Sequence, residues 1–132
     1  MHIIEIRTRA KEEFVDLTTE LDRIVTASGV ASGVCVVAVP HTTAGVTVNE
    51  NADPDVRADL LMTLRRIVPD TLPYAHAEGN SPAHVKAAFV GSSVSLIVED
   101  GCLRLGTWQG VFFCEFDGPR TRKVWIQIVG SV

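Results

Sequence analysis

The chain has little of several things, and each shortage narrows what it can be. Its 132 residues suffice for one ordinary domain and fall short of two. It has three cysteines, Cys35, Cys102 and Cys114. That odd number without CxxC spacing argues against a disulfide scaffold, and more strongly against a Cys-only zinc site. Each lies among strand-forming apolar residues, so three reduced core thiols are expected. No apolar run approaches the ~20 residues of a membrane helix, because charged or turn residues interrupt every stretch. Basic charge is also scarce: 12 Lys and Arg against 16 Asp and Glu leave a net charge of −4. That is the wrong sign for a protein held by nucleic-acid phosphates or an acidic membrane surface. The one basic cluster, Gly118-Pro119-Arg120-Thr121-Arg122-Lys123, reads as a solvated hairpin turn or a phosphate clamp. The N-terminus lacks a basic region followed by a hydrophobic stretch, so a cytoplasmic location is expected.

What is present is the make-up of an ordinary folded domain, 46% hydrophobic and 21% charged, without repeats or low-complexity linkers. Residues 2–8 and Phe14–Leu17 read as strands. Thr18 or Thr19 can cap a helix that carries Leu21, Ile24 and Val25 on one face and stops at Gly29. Val34–Val39 is continuously apolar and β-branched, a strand expected to be covered on both faces. Val46-Thr47-Val48 alternates. Asp53-Pro54 starts a second helix, with Val56, Leu60, Leu64 and Ile67 as its apolar stripe. Ser81-Pro82 starts a third, with Val85, Ala88 and Phe89 as its expected buried side. Val94–Val98, Leu103–Leu105, Trp108–Phe116 and Lys123–Val129 then read as sheet, joined by Asp100-Gly101 and Asp117-Gly118-Pro119 turns. The expectation is an α+β domain, a β-sandwich of about seven mostly antiparallel strands with two to three helices. Strand 124–129 is apolar on both faces. So short a chain has too few helices to cover such faces, and self-association is the simplest cover.

Three groups of residues carry chemistry. His41 opens the turn after Pro40, His76 lies in a loop, and His84 falls in the first turn of the third helix. The positive end of the helix dipole disfavours an imidazolium at His84, leaving a neutral ring able to donate a hydrogen bond or bind a metal. Without HExxH-type spacing, three unrelated surface or capping histidines are the plainer reading. The second group is Asn49-Glu50-Asn51-Ala52-Asp53 with Arg57, suited to Mg²⁺ or a polar ligand. Helix capping accounts for Asp53 but not for Asn49 and Glu50. The third is Gly106-Thr107-Trp108-Gln109-Gly110 with Glu115 and Arg120. Alternation puts Gln109, Val111, Phe113 and Glu115 on one face, so Glu115 needs a cation, metal or proton there. Arg120 or Arg122 would serve.

The order of these segments is informative. His41-Thr-Thr-Ala-Gly-Val-Thr-Val-Asn-Glu-Asn-Ala-Asp-Pro-Asp-Val-Arg57, Tyr74-x-His76, Glu78-Gly-Asn-Ser-Pro-Ala-His84 and Gly106-Thr-Trp-Gln-Gly110 … Glu115-Phe-Asp-Gly-Pro-Arg120 together resemble the YjbQ-like family of secondary thiamine-phosphate synthases over nearly the whole chain. The resemblance implies a homotrimer with polar clefts near subunit contacts. It implies one pocket holding His41, Asn49, Glu50, His76, His84 and Gln109. It also implies transfer of a pyrimidine pyrophosphate to thiazole phosphate, giving thiamine phosphate. His41, Glu50, His84 and Gln109 are then the catalytic candidates. Thr42, Asn49, Asn51, Arg57, Glu78, Asn80, Lys86, Thr107, Trp108, Glu115 and Arg120 are candidates for holding a small phosphorylated metabolite. A divalent metal, Zn²⁺ or Mg²⁺, would sit on His41, His76 and His84 or on Glu50 or Glu78, and no organic cofactor is implied. The stretch between His76 and His84 is shorter and less acidic than in some members. Two other readings stand: a histidine–metal hydrolase or phosphatase, and a non-catalytic metabolite-binding trimer.

Overall fold

Two antiparallel sheets lie face to face in the computed structural model, which describes residues 1–131. The elements run β1 (His2–Arg7), β2 (Glu13–Asp16), α1 (Thr18–Ser28), β3 (Gly33–Ala38), β4 (Ala44–Glu50), α2 (Pro54–Ile67), α3 (Ser81–Val90), β5 (Ser93–Glu99), β6 (Cys102–Arg104), β7 (Gln109–Glu115) and β8 (Thr121–Gly130). One sheet has the order β1-β8-β3-β5-β6 and the other β2-β7-β4. The α+β sandwich is as expected, with eight strands where about seven were read.

Strand alternation builds the main core. Val124 and Ile126 of β8, Cys35 and Val37 of β3, and Leu96 and Val98 of β5 turn one way. They meet Val46 of β4 and Val111 and Phe113 of β7, with Leu21 and Val25 of α1 packed among them. The other face of β7 carries Phe112 and Cys114, which with Phe116 form a second core. Ala83 and Ala87 of α3, with Leu61 and Leu64 of α2, cover it. β7 is therefore buried on both faces, while the outer face of the five-stranded sheet has no helix over it. Ile3, Val34, Ile97, Trp125 and Val129 are exposed there. β3 is thus covered on one face within a protomer, not on two.

Local signals explain the helix ends. The Asp53 carboxylate accepts from Asp55 N–H at 2.9 Å, with Pro54 in the first helical position. For α1 the cap position is Leu17, and the side chain that helps is that of Asp16, which accepts from both N–H and O–H of Thr18. The Thr18 hydroxyl in turn accepts from Val111 N–H, tying α1 to β7. For α3 the cap position is Asn80, one residue before Ser81, and its side chain makes no capping bond, reaching Asp117 instead. The buried side of α3 is also different from the expected one. The small pair Ala83 and Ala87 lets the helix approach the sheet closely, so Phe89 is left exposed. On α2, likewise, Ile67 is exposed and Val68 is buried.

Candidate functional site

The candidate site is built around a buried ion pair. Glu115, at the end of β7, is wholly buried, and Arg122 at the start of β8 is nearly so. Arg122 Nε donates to Glu115 Oε1 at 2.9 Å, and its terminal nitrogen reaches Oε2. Thr8 Oγ1 donates to Oε1 at 2.8 Å, while the N–H groups of Phe116 and Asp117 donate to Oε2, each at 3.1 Å. Burial raises the Glu115 pKa, but the bonds from Arg122, Thr8 and Asp117 together hold it below the usual carboxylate value. The same terminal nitrogen also donates to Thr43 Oγ1 at 2.8 Å. One pair thus fixes both the 41–43 turn and the 116–117 corner. Its oxygens are taken up inside the protein, so Glu115 is an internal anchor here and not a surface ligand for substrate.

Held by that anchor, His41 points Nε2 at the backbone N–H of Lys123, which donates to it at 2.9 Å. Burial lowers the pKa of His41, and the positive charge of Arg122 adds to the effect against the opposing pull of Glu115. Across from it stands the start of α3. His41, Thr42, Thr43, Glu78, Asn80, His84, Asp117, Arg120 and Arg122 wall a recess of about 370 Å³. A second recess of about 390 Å³ shares His41, Thr42 and His84 and runs along α3 past Ala87 to Gly91. Asn80 Nδ2 donates to Asp117 Oδ2 at 3.0 Å, and Arg120 donates to the same oxygen at 3.0 Å. His76 and His84 stack edge to face with ring centres 5.4 Å apart, and His76 Nε2 lies 3.7 Å from Glu78. In sequence, Asp117 reads as a turn residue. Its link to Asn80 is long-range and leaves no local pattern.

Other candidates lie elsewhere. Asn49 and Glu50 pair with Gly110 and Gln109 at the far end of β4. Six residue steps from Ala44 to Glu50 at roughly 3.4 Å each put about 20 Å between that end and the His41 turn. Local bonds occupy this group: Glu50 accepts from Asp53 N–H, Gln109 accepts from Gly106 N–H, and Asn51 packs on Gly110. Thr107 and Trp108 are exposed in the turn before β7. Arg57 lies over the Phe112 ring, 5.2 Å from its centre. Lys86 is buried and donates to Glu12 at 2.8 Å, and Glu12 also accepts from Arg65 at 2.7 Å. Within one protomer, then, the expected single pocket of His41, Asn49, Glu50, His76, His84 and Gln109 divides into two groups at opposite ends of β4. Nor do the three imidazoles form a ready-made ligand set. Among the described residues, no three His, Cys, Asp or Glu side chains stand close enough to hold an ion.

Comparison with known proteins matches this architecture. The family model described as UPF0047 protein YjbQ-like matches residues 2–131. The chain belongs to the YjbQ-like UPF0047 family. A UPF0047 protein of Methanocaldococcus jannaschii is 48% identical over 127 residues, covering 96% of this chain and 92% of its own length. The UPF0047 protein YugU of Bacillus subtilis is 47% identical over 128 residues, covering 96% and 97%. A crystal structure of a family member from Clostridium acetobutylicum superposes with a TM-score of 0.96 at 50% identity, covering 98% of this chain and all of that one. A YjbQ-like protein of unknown function from Sulfolobus solfataricus gives 0.94 at 32% identity, covering 98% and 96%. Family membership thus comes with a shared fold. No helix among the described residues is long and apolar enough to cross a membrane.

Proposed function

We propose that the recess between His41 and the start of α3 binds a small phosphorylated metabolite. We propose further that the chain is a transferase of the thiamine-phosphate synthase type. The observation that carries this reading is the pairing of His41 and His84 on one recess with Arg120 and the N-terminus of α3. The N–H groups of Ala83 and His84 are taken up by Asn80 O, so it is the dipole of the α3 N-terminus that favours an anion, and the Arg120 guanidinium, bound on one side to Asp117, adds positive charge beside it. In the reaction, the bond from the pyrimidine methylene to the pyrophosphate oxygen breaks, and a bond from that carbon to the thiazole nitrogen forms. Charge collects on the departing pyrophosphate. His84, in the first turn of α3, is placed to donate a hydrogen bond to it. The side chains present do not fit a resident three-histidine metal, so no step is assigned to one.

The purified full chain, supplied with hydroxymethylpyrimidine pyrophosphate and thiazole phosphate, should release thiamine phosphate and pyrophosphate. His84→Ala should slow the rate by about a hundredfold, the usual scale for losing one hydrogen-bond donor to a developing negative charge. No product from the native chain, together with no binding of either substrate, would overturn the assignment.

We also propose that the working unit is a homotrimer. Two observations support it: the bare outer face of the five-stranded sheet, and the division of the polar candidates between the two ends of β4. Subunit packing could bring one copy's Gln109 end towards another's His41 recess. Sedimentation of the native chain should give three times the 14.3 kDa protomer mass, and Trp125→Glu on the bare face should shift it towards the protomer. A native chain that sediments as a protomer would overturn the trimer.

A further inference from the structure

β3 leaves the sheet just where Lys123 would need it. Its ladder with β8 ends with Ala38 opposite Trp125, so continued register would set Pro40 opposite Lys123. Instead the ring of His41 takes the place of a backbone acceptor, receiving the Lys123 N–H on Nε2 at 2.9 Å. An imidazole nitrogen that accepts a hydrogen bond carries no proton, and a neutral ring then has its single proton on the other nitrogen. A side chain that completes a β-ladder is also fixed in orientation by it. The remaining polar group of the ring is Nδ1–H, and the ring lines both recesses.

We propose that the Lys123 backbone contact locks His41 in the Nδ1–H tautomer, and that this N–H donates to a ligand oxygen in the recess. Metal ligation asks for the opposite, an imidazole nitrogen with a free lone pair. In His41 one lone pair is engaged and the other nitrogen is protonated. His41 is therefore a hydrogen-bond donor and not a third metal ligand. The ligand half of this statement rests on the phosphorylated-metabolite reading, whereas the tautomer half does not.

Long-range proton–nitrogen NMR on the ¹⁵N-labelled full chain tests both halves. Near neutral pH, before any addition, His41 should show a protonated Nδ1 and an unprotonated Nε2. The reverse pattern overturns the lock, as does a shift of His41 into a metal-bound pattern on adding zinc. Inorganic pyrophosphate added next should move the His41 Nδ1–H signal as it binds. Binding that leaves this signal in place overturns the donor role while sparing the proposed function. If pyrophosphate does not bind at all, the metabolite reading falls and takes the donor half with it, while the first spectrum still decides the tautomer. His41→Phe should weaken pyrophosphate binding about tenfold, the scale of one hydrogen bond to a charged group. His41→Asn, which keeps an N–H near the place of Nδ1, should stay within about threefold of the native affinity. Equal losses in the two variants overturn the donor role.

Discussion

Arg122 meets Glu115 with Nε and a terminal nitrogen together, and the same guanidinium holds Thr43 at 2.8 Å. The pair joins β7, β8 and the turn that carries His41. A buried carboxylate left without its cation is costly, typically about 3–5 kcal/mol when one partner is removed. Arg122→Met should therefore lower unfolding free energy by about that amount in urea titrations. A loss below about 1 kcal/mol, the range of exposed pairs, would mean that water reaches the carboxylate. The double variant Arg122→Met with Glu115→Leu should recover only part of the loss: no charge is then left buried, but Thr8 Oγ1 and the N–H groups of Phe116 and Asp117 lose their acceptor.

Acid should act through two carboxylates. For Glu115 and Glu12 burial pushes the pKa up, but their cationic partners outweigh it, so both lie below the usual 4.5. The native chain then binds fewer protons than the unfolded one just below that value. Stability from these groups is complete above the usual value and is lost as pH falls through the lowered folded values. The urea midpoint should fall as pH drops below 4.5, and Glu12→Gln should flatten that fall. His41 works in the same direction at higher pH. Its lowered pKa means the unfolded chain takes up a proton first, so acidification below the ordinary imidazole value of 6.5 also favours unfolding.

Gly33 should tolerate no side chain. A Cβ there would lie 2.0 Å from the Val129 carbonyl oxygen and 2.9 Å from Gly130 Cα, both backbone atoms of the paired strand β8. Neither atom can rotate away, so β3 and β8 would have to part. Gly33→Ala should destabilise by about 1–3 kcal/mol or more, read as a lowered thermal midpoint. An unchanged midpoint would mean that the two strands separate there at little cost.

Thiol labelling should single out one cysteine. Cys102 is exposed at the start of β6, whereas Cys35 and Cys114 are buried with their pKa values raised by loss of water. The thiolate is the reactive form. A native chain should take up one equivalent of a thiol reagent quickly, and all three only when unfolded. Cys102→Ser should abolish the fast phase.

Much of the fold could be read from local pattern. Asp53-Pro54 names its helix start because the cap is made by adjacent residues. Asp100-Gly101 names its hairpin because both residues need positive φ, 52° and 72° here. β8 alternates between the core and the outside although its sequence is apolar on both faces, which leaves Trp125 and Val129 exposed. What escaped the reading depends on partners far along the chain. α3 turns Lys86 inward because Glu12 waits there, and no helical periodicity contains that fact. Cys102 follows directly on the Asp100-Gly101 turn, and on the short strand β6 its side chain faces outward, against the expected core thiol. Of the three candidate histidines, His41 and His84 share a recess, and His76 packs edge to face on His84. The Asn49–Gln109 group was placed with them by resemblance, and the length of β4 separates the two within a protomer. Pro40 and Lys123 look unremarkable in sequence. Only the end of a ladder makes them define a ring orientation.

Glu12 gives one oxygen to Arg65 of α2 and the other to Lys86 of α3. Two helices that follow each other along the chain thus hang from a single hook just before β2. Protonating that hook loosens both grips at once, so the shell over Phe112, Cys114 and Phe116 should peel as one piece. The two facing sheets beneath should outlast it.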